Sequence, residues 1–327
     1  MKGIEVQVGD DGPELQWTEV EDVVFQPDEV LVNVHATALN RADLAQALGT
    51  YPPPKGESEI LGLEMAGVVA STGKAVTKWK PGDAVFSLLA GGGYAEQVAV
   101  HEDLVLPIPE KWSFHRAAAI PEAWLTAYVN LFLEGDLKAG ETALVHAGAS
   151  GVGTAAIQLA KSANARVIIT TSSNRKVEVC SELGADLALS YKDSEFFSQI
   201  MAWTDDSGVD LILDPVGGAY LEGNIRSLRQ FGRLISIGLL GGNKGTLDLG
   251  LVLAKRLKII GSRLRNRPLD EKIEISHSFW NRFGPLFIAD AIRPVIDIVF
   301  PIEDAQSAHE YVRQNRNIGK VLLAVRD

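Results

Sequence analysis

A glycine-rich turn between a predicted strand and a predicted helix could bind a phosphate group. TALVH precedes the turn and TAAIQLAK follows it. Backbone N–H groups at the start of a helix, together with the helix dipole, favour an anion. Ser150 stands where the G-x-G-x-x-G fingerprint has its central glycine, so a turn without a ligand is the alternative. The residues predicted to contact a dinucleotide pyrophosphate are Ser150, Gly151, Val152 and Gly153.

The end of the next predicted strand indicates which dinucleotide binds. An NAD site usually has an Asp or Glu about 20 residues past the glycine turn. Here the strand ends in TTSSNRK, residues 170–176, and the next carboxylate is Glu178. Ser173 and Lys176 offer a hydroxyl and a cation to a 2′-phosphate, and Tyr191 could close over the adenosine. NADPH is the predicted cofactor; an ordinary solvated charged face is the alternative.

These residues lie in a part of the chain where strand and helix patterns alternate. The strands are nearly continuous apolar runs, as in a parallel sheet covered by helices on both faces. Two glycine-containing segments, DPVGG (214–218) and IGLLGG (237–242), end later strands at the edge where such sheets bind ligands. Gly217 and Leu239 are therefore predicted to contact the cofactor. Gly184 and Gly232 are predicted to end helices.

The flanking segments have a different pattern. The first 120 residues read as short strands and turns, and a long amphipathic helix is predicted beyond residue 266. The prediction is an α/β fold: a doubly wound parallel-sheet domain inserted in a β-rich domain. RLKIIGSRL, residues 256–264, is predicted to be an edge strand that could pair with a second copy of the chain.

Composition excludes several functions. The net charge of −11 argues against nucleic acid and anionic membranes as partners. One cysteine excludes an internal disulfide and a cysteine zinc cage. The N-terminus has no apolar signal-peptide core, and no apolar run is long enough to span a bilayer. We expect a soluble, cytoplasmic protein.

Several dispersed motifs carry a resemblance to a known family. NRADL, GLEMAGVV, PGDAVFSLLAGGGYAE, AAAIPEAWLTAY and HAGASGVGTAAIQLAK occur in one order. The chain thus resembles the medium-chain dehydrogenase/reductases, and within them the zinc-free quinone oxidoreductases of the animal stress-inducible type. The resemblance implies a GroES-like catalytic domain over 1–121 and 266–327 and a Rossmann domain over 122–265. It also implies NADPH in the cleft and a homodimer or homotetramer.

The resemblance allows a test for zinc. Alcohol dehydrogenases of this superfamily hold a catalytic zinc ion with Cys, His and Cys, and zinc acts there as a Lewis acid. The corresponding positions here are Asn40, Leu63 and Glu122. Glu122 alone could ligate a metal, so no metal site is predicted.

Without a metal, the substrate must accept a hydride unaided or through hydrogen bonds. Quinones fit, because the hydroquinone is aromatic and its oxyanions are weakly basic. The pocket candidates are Asn40, Tyr51 and Thr126. Asn40 could instead cap a helix, and Tyr51 could be an ordinary loop aromatic. The family pattern places Thr126 near the nicotinamide, but it could be an ordinary residue on a helix face.

Two further segments are expected near the cofactor. The resemblance implies that LRNR (264–267) reaches the cofactor, so Leu264 and Arg265 are predicted to contact it. The alternative is that this segment is a run of solvated charges. Asn317 and Lys320, in NIGK, could approach the nicotinamide or phosphate side.

Three functions follow from the sequence. The first is an NADPH-dependent quinone reductase. The second is a reductase of α,β-unsaturated carbonyls, with Tyr51 as the candidate proton donor. The third is a non-catalytic NADPH-binding or structural protein.

Overall fold

The computed structural model describes residues 1–9, 12–193 and 195–326. These residues form two compact units. Unit 1 comprises Met1–Leu125 and Arg265–Asp327, and unit 2 comprises Thr126–Leu264.

Strands and helices are numbered along the chain. The first part of unit 1 contains β1 Lys2–Gly9, β2 Gly12–Glu19, β3 Glu29–Ala38, α1 Arg41–Ala47, β4 Glu64–Thr72, β5 Ala84–Leu88, β6 Gln97–His101, β7 Leu106–Pro107, α2 Phe114–Ala118 and α3 Pro121–Tyr128, which continues into unit 2. Unit 2 contains β8 Thr142–Val145, α4 Gly151–Ser162, β9 Arg166–Thr171, α5 Asn174–Glu182, β10 Leu187–Ser190, α6 Phe196–Trp203, β11 Val209–Asp214, α7 Leu221–Ser227, β12 Leu228–Ser236, α8 Leu249–Lys255 and β13 Lys258–Gly261. The chain then returns to unit 1 with α9 Leu269–Ile288, β14 Ile296–Pro301, α10 Ala305–Arg313 and β15 Lys320–Ala324.

Unit 1 is built around one mostly antiparallel sheet. Its strand order is β14-β15-β3-β4-β5-β7, and β6 pairs with β3. The strand β3 alternates buried and half-buried residues until its last three positions, which are all buried. Val30, Val32 and Val34 pack with Met65 and Val85 in its core. The strands β15 and β4 pair antiparallel with the end of β3, so both begin close to the start of α1.

Unit 2 contains the predicted parallel sheet. Within the described residues its order is β10-β9-β8-β11-β12-β13, with all neighbours parallel. The strands β8 and β11 are buried along their whole length, as expected for strands covered on both faces. This sheet and the unit 1 sheet confirm the predicted α/β fold class.

One predicted helix end is wrong. Gly232 lies within β12, and α7 ends earlier, at Ser227. The ladder between β11 and β12 is irregular: Val209 is opposite Leu228, but Leu211 is opposite Arg233. Phe231 has a φ of +65° in the extra residues. The extra residues lie on β12, between Leu228 and Arg233.

Candidate active site

The glycine turn of unit 2 is a tight connection from β8 to α4. Ser150 caps the helix, and its Oγ accepts a hydrogen bond of 3.0 Å from the Gly153 N–H. A Cβ on Gly153 would lie 2.5 Å from the Ala147 carbonyl oxygen, and one on Gly148 would lie 2.6 Å from the Ile169 Cβ. The turn therefore requires glycine at both positions. The Ser150 hydroxyl proton stays available for donation to a phosphate.

The ends of β9 and β10 bring three predicted residues to one sheet edge. Ser173 caps α5, accepting from the Lys176 N–H at 3.5 Å, and the first turn of α5 has no acidic residue. Tyr191 follows β10, its N–H donates to the Thr171 carbonyl at 2.9 Å, and its side chain is 39% exposed. This edge presents hydroxyl groups and a cation, and no carboxylate at the start of α5.

A buried polar network under this edge is not apparent from the sequence. The Asn224 Nδ2 group donates to Asp214 at 3.1 Å, so its Oδ1 accepts from His146 Nε2 at 2.8 Å. The other ring nitrogen, Nδ1, lies 2.8 Å from Thr170 Oγ1 and accepts from it. Burial lowers the pKa of His146, so the ring is neutral. The network ties together the ends of three strands.

The same network shapes the loop that contains Gly217. Asp214 Oδ1 accepts from the Val216 and Gly217 N–H groups at 2.6 and 3.1 Å. Gly217 has a φ of +81°, and a Cβ there would lie 3.0 Å from Leu239 Cδ2. The structure therefore places Gly217 and Leu239 side by side. Leu264, which is also predicted to contact the cofactor, is buried, with 6% of its surface exposed.

In unit 1, Asn40 lies between β3 and α1 with its amide group fully engaged. Its Nδ2 donates to Glu64 Oε1 at 2.8 Å and to the Ala38 carbonyl at 3.3 Å. Its Oδ1 accepts from Lys320 Nζ at 2.7 Å. The Asn40 backbone also takes part at the start of α1, because its N–H donates to the Asp43 side chain at 2.7 Å. Asn40 is thus part of a polar network.

Lys320 and Glu64 form the centre of that network. Their side chains are only 4% and 0% exposed, and Lys320 Nζ lies 2.7 Å from Glu64 Oε1. The ammonium group also donates to the Leu39 carbonyl at 2.9 Å and to Asn40, so its three N–H bonds are all used. A direct contact between Lys320 and a cofactor would require one of these bonds to be exchanged. Glu64 is the residue that sequence reasoning missed; the signal was a carboxylate at the start of an apolar strand, GLEMAGVV.

Glu122 joins the network from α3. Its backbone N–H donates to Glu64 Oε2 at 2.9 Å. Burial of the carboxyl group, and then the charge of Glu64, raise the pKa of Glu122 to about 8. Burial likewise raises the pKa of Asp43 to about 6. Within the described residues, the buried Oε2 atom of Glu122 has no hydrogen-bond partner.

The positions that resemble zinc ligands do not offer a zinc-ligand set. The Asn40 amide is committed to Glu64 and Lys320, and Leu63 is a buried apolar side chain. A single carboxylate, Glu122, is left, and zinc sites have three or four ligands. Across residues 1–9, 12–193 and 195–326, no group of three or more His, Cys, Asp or Glu side chains is arranged to hold a metal ion.

Arg265 holds the loop that carries Tyr51. The guanidinium group is buried and donates to the Ala90 carbonyl at 2.7 Å, to Gln46 Oε1 at 2.7 Å and to the Tyr51 carbonyl at 3.4 Å. It also lies 5.4 Å from the centre of the Tyr51 ring. The Tyr51 hydroxyl donates to Asn266 Oδ1 at 3.5 Å. Part of the basic segment LRNR therefore supports a candidate pocket residue.

Two other predicted residues have mainly local contacts. Thr126 lies on α3, half-buried, and its carbonyl accepts from Asn130 Nδ2 at 2.7 Å. Asn317 is half-buried, and its Nδ2 donates to the Gly319 carbonyl at 2.8 Å, which shapes the turn before β15.

Two family models match separate parts of the chain. Residues 26–110 match the family model described as alcohol dehydrogenase GroES-like domain, and residues 151–278 match zinc-binding dehydrogenase. The chain is 32% identical over 311 residues to the synaptic vesicle membrane protein VAT-1 homolog of Mus musculus, covering 91% of this chain and 76% of that protein. It is 29% identical over 322 residues to the quinone oxidoreductase of Rattus norvegicus, covering 95% and 94%.

Solved structures with the same fold include two reductases. The Escherichia coli quinone oxidoreductase complexed with NADPH has a TM-score of 0.89 and 28% identity, covering 99% of this chain and all of that one. The CurK enoyl reductase has a TM-score of 0.85 and 26% identity, covering 99% and 98%. No helix among the described residues is long and apolar enough to cross a bilayer. The matched family models and these relatives show that the chain is a nicotinamide-dependent oxidoreductase and belongs to the medium-chain dehydrogenase/reductase superfamily.

Proposed function

We propose that this protein is an NADPH-dependent quinone reductase that works without a metal. The observation that carries the proposal is the donor set around Asn40: an amide, a leucine and one carboxyl stand where zinc would need its ligands. These residues do not supply the ligands for a Lewis-acidic metal ion, which some substrates need. A quinone does not need one, because it accepts a hydride readily and gives weakly basic oxyanions.

The residues of unit 2 suit NADPH. When bound, the reduced nicotinamide supplies the hydride. Ser150, Gly151, Val152 and Gly153 present N–H groups at the start of α4 to the pyrophosphate. Ser173 and Lys176 suit the 2′-phosphate, with Tyr191 beside the adenosine and Gly217 and Leu239 along the dinucleotide. Leu264, Arg265, Asn317 and Lys320 complete the proposed set, with Arg265 acting through the Tyr51 loop.

Asn40, Tyr51 and Thr126 are proposed to contact the substrate. The Asn40 amide is held in one orientation by Glu64 and Lys320, and the Tyr51 loop is held by Arg265. Groups that are fixed before substrate arrives lose little entropy on binding, which favours productive orientation.

Reduction of α,β-unsaturated carbonyls is the second candidate. Its support is the fold likeness to the CurK enoyl reductase. This reaction needs a proton at the α-carbon in addition to the hydride. The phenol of Tyr51 is the proposed donor.

The test is NADPH consumption with purified protein over ortho-quinones, para-quinones and short enals. We expect turnover with quinones and a lower kcat/KM for Tyr51→Phe, with Tyr311→Phe as a matched control. Tyr311 donates to Asp297, and neither residue belongs to the proposed site. Turnover with enals alone would replace the quinone assignment by the second candidate. No turnover with any acceptor, despite NADPH binding, would support a non-catalytic protein.

A cytoplasmic homodimer or homotetramer is also proposed. The acidic net charge of −11 suits a freely diffusing protein. The open strand β13 suits self-association.

A further inference from the structure

Glu122 faces charged groups from every element that forms the polar network of unit 1. Asp43 comes from α1, Glu64 from β4 and Lys320 from β15, and Arg265 follows the return of the chain into unit 1. Three carboxyl groups thus share two cations. If all three were ionised, this buried region would carry one uncompensated negative charge, which is costly in a low-dielectric interior.

The two cations are not bonded to Glu122. Lys320 gives its three N–H bonds to Leu39, Asn40 and Glu64. Arg265 donates to three uncharged oxygen atoms: the side-chain oxygen of Gln46 and the backbone carbonyls of Tyr51 and Ala90. Asp43 is a further carboxyl group, but it accepts two backbone N–H bonds, which stabilise its charged form.

Glu122 is therefore the carboxyl group whose protonation balances the charges of this region. Adding one proton there makes the region neutral. Glu64 is excluded as the site of that proton, because its oxygens accept from Lys320, Asn40 and the Glu122 N–H. Glu122 Oε2 is buried and accepts no hydrogen bond within the described residues, so no donor stabilises a negative charge on that oxygen. The pKa of about 8 for Glu122 agrees with this assignment.

We propose that Glu122, a half-buried residue, is a catalytic acid that holds a proton at neutral pH and donates it from its carboxyl group to the carbonyl oxygen of the substrate. This inference rests on the proposed reductase function. The Asn40 side chain and the Glu122 backbone N–H both hydrogen-bond the Glu64 carboxylate, so the acid belongs to the same network as a proposed substrate-contacting residue.

The proton balance of the step is closed. Reduction of a quinone to a hydroquinone monoanion takes the hydride supplied by NADPH, and one proton completes the hydroquinone. The O–H bond of Glu122 breaks, an O–H bond forms on the substrate oxygen, and the pair of electrons of the broken bond stays on the carboxylate. Glu122 then regains a proton from solvent. With an enone, the same transfer gives the enol. The saturated ketone forms when the α-carbon takes a proton, for which Tyr51 is the proposed donor, and the enol O–H proton is lost.

The test compares Glu122→Gln with wild type in two measurements. Infrared difference spectra between the two proteins, recorded across pH, should contain the carbonyl stretch of a protonated carboxylic acid in wild type at pH 7. That band should disappear as the pH rises through about 8. A carboxylate signal at pH 7 would overturn the proposal. This measurement needs no turnover, so it remains decisive if the proposed function fails.

The second measurement is the pH profile of kcat/KM. Wild-type activity should fall above pH about 8, and Glu122→Gln should lose about 10²–10⁴-fold in rate for enones. The loss should be smaller for quinones, whose oxyanions need the proton less. Glutamine keeps an N–H donor but cannot release a proton. Wild-type rates in Glu122→Gln would therefore show a hydrogen-bonding role and contradict the acid role.

Two controls separate chemistry from folding. Glu303→Gln removes an exposed carboxyl group and should leave the pH profile unchanged. The dissociation constant for NADPH and the thermal unfolding midpoint of Glu122→Gln should stay close to wild type below pH 7. An equal loss of NADPH binding and activity would indicate a structural role and overturn the proposal. Absence of turnover in wild type would overturn the reductase function and the transfer step together, and would leave the protonation state to the infrared result.

Discussion

Lys320 and Glu64 form a buried ion pair across the end of strand β3, with Nζ and Oε1 2.7 Å apart. Lys320 begins β15, Glu64 begins β4, and β3 lies between these two strands in the sheet. Asn40, which follows β3, is bonded to both charged groups. The pair therefore joins the start of β15 and the start of β4 to the residue that follows β3.

Removing one partner of this pair should destabilise the protein strongly. Lys320→Met leaves Glu64 buried and uncompensated, and we expect a loss of about 3–5 kcal/mol in the free energy of unfolding. Urea denaturation checks this. Lys138→Met is the control, because Lys138 and Asp136 form an exposed pair and such pairs contribute about 0–1 kcal/mol.

A second variant shows whether the charge itself is responsible. Glu64→Gln in combination with Lys320→Met should be more stable than Lys320→Met alone, because no unpaired charge is left. The ion-pair explanation is wrong if the stability that the double variant loses relative to wild type equals the sum of the losses in Lys320→Met and in Glu64→Gln.

Cofactor preference should depend on the start of helix α5. NADPH should bind more tightly than NADH, because Ser173 and Lys176 follow β9 and no carboxylate lies in the first turn. Lys176→Ala should narrow the difference between the two dissociation constants, measured by calorimetry. Lys192→Ala is a useful comparison, since this exposed lysine lies next to Tyr191. Equal affinities of the wild-type protein for both cofactors would contradict the assignment.

The tight glycine turn should not tolerate a methyl group. In Gly153→Ala the Cβ would lie 2.5 Å from backbone atoms of Ala147 and Gly148, so the turn must move. We expect at least a tenfold weaker affinity for NADPH and a lower unfolding midpoint. In Gly250→Ala the Cβ would meet only the Asp248 side chain, at 3.1 Å, and this variant should behave as wild type. Unchanged NADPH binding in Gly153→Ala would show that the turn does not hold the pyrophosphate.

Activity should be independent of metal. The residues at the zinc-like positions, Asn40, Leu63 and Glu122, supply one possible ligand group between them. Elemental analysis should find no stoichiometric zinc in purified protein, and chelators should leave turnover unchanged. Loss of turnover on chelation, followed by recovery with added zinc, would reverse this prediction.

Strand and helix patterns were enough to predict the parallel sheet, because apolar runs and glycine turns are local signals. The exception around Gly232 has a physical reason. RSLRQFG has helical spacing, but residues after Ser227 pair with β11 through an irregular ladder. Pairing with a distant strand cannot be read from local periodicity.

The polar network of unit 1 was harder to predict for the same reason. Asn40, Glu64 and Lys320 are far apart in the sequence, and only the antiparallel pairing of β15, β3 and β4 brings them together. Asn40 and Lys320 were singled out individually, but their shared partner Glu64 was not. The long-range contact gives each residue a role that its local sequence does not reveal.

Self-association should use the outer edge of β13. This strand ends the sheet order of unit 2, and Ile259 is 44% exposed. The Ser262 N–H donates to the Ser236 carbonyl. Because alternate residues of a parallel strand bond to opposite sides, the Ile260 N–H points toward β12 and the Ile259 N–H points away. Among the described residues, no strand pairs with that outer side.

The direction of these N–H groups determines which substitution tests the assembly. Ile259→Pro removes a donor from the outer edge and should shift the mass in light scattering from dimer or larger toward monomer, with NADPH binding retained. Ile260→Pro removes a donor to β12 and should instead lower the stability of unit 2. Pairing of β13 with the same strand of a second copy would give a two-fold contact and one continuous sheet. A wild-type protein that is monomeric at micromolar concentration, or an Ile259→Pro variant of unchanged mass, would exclude this edge as the interface.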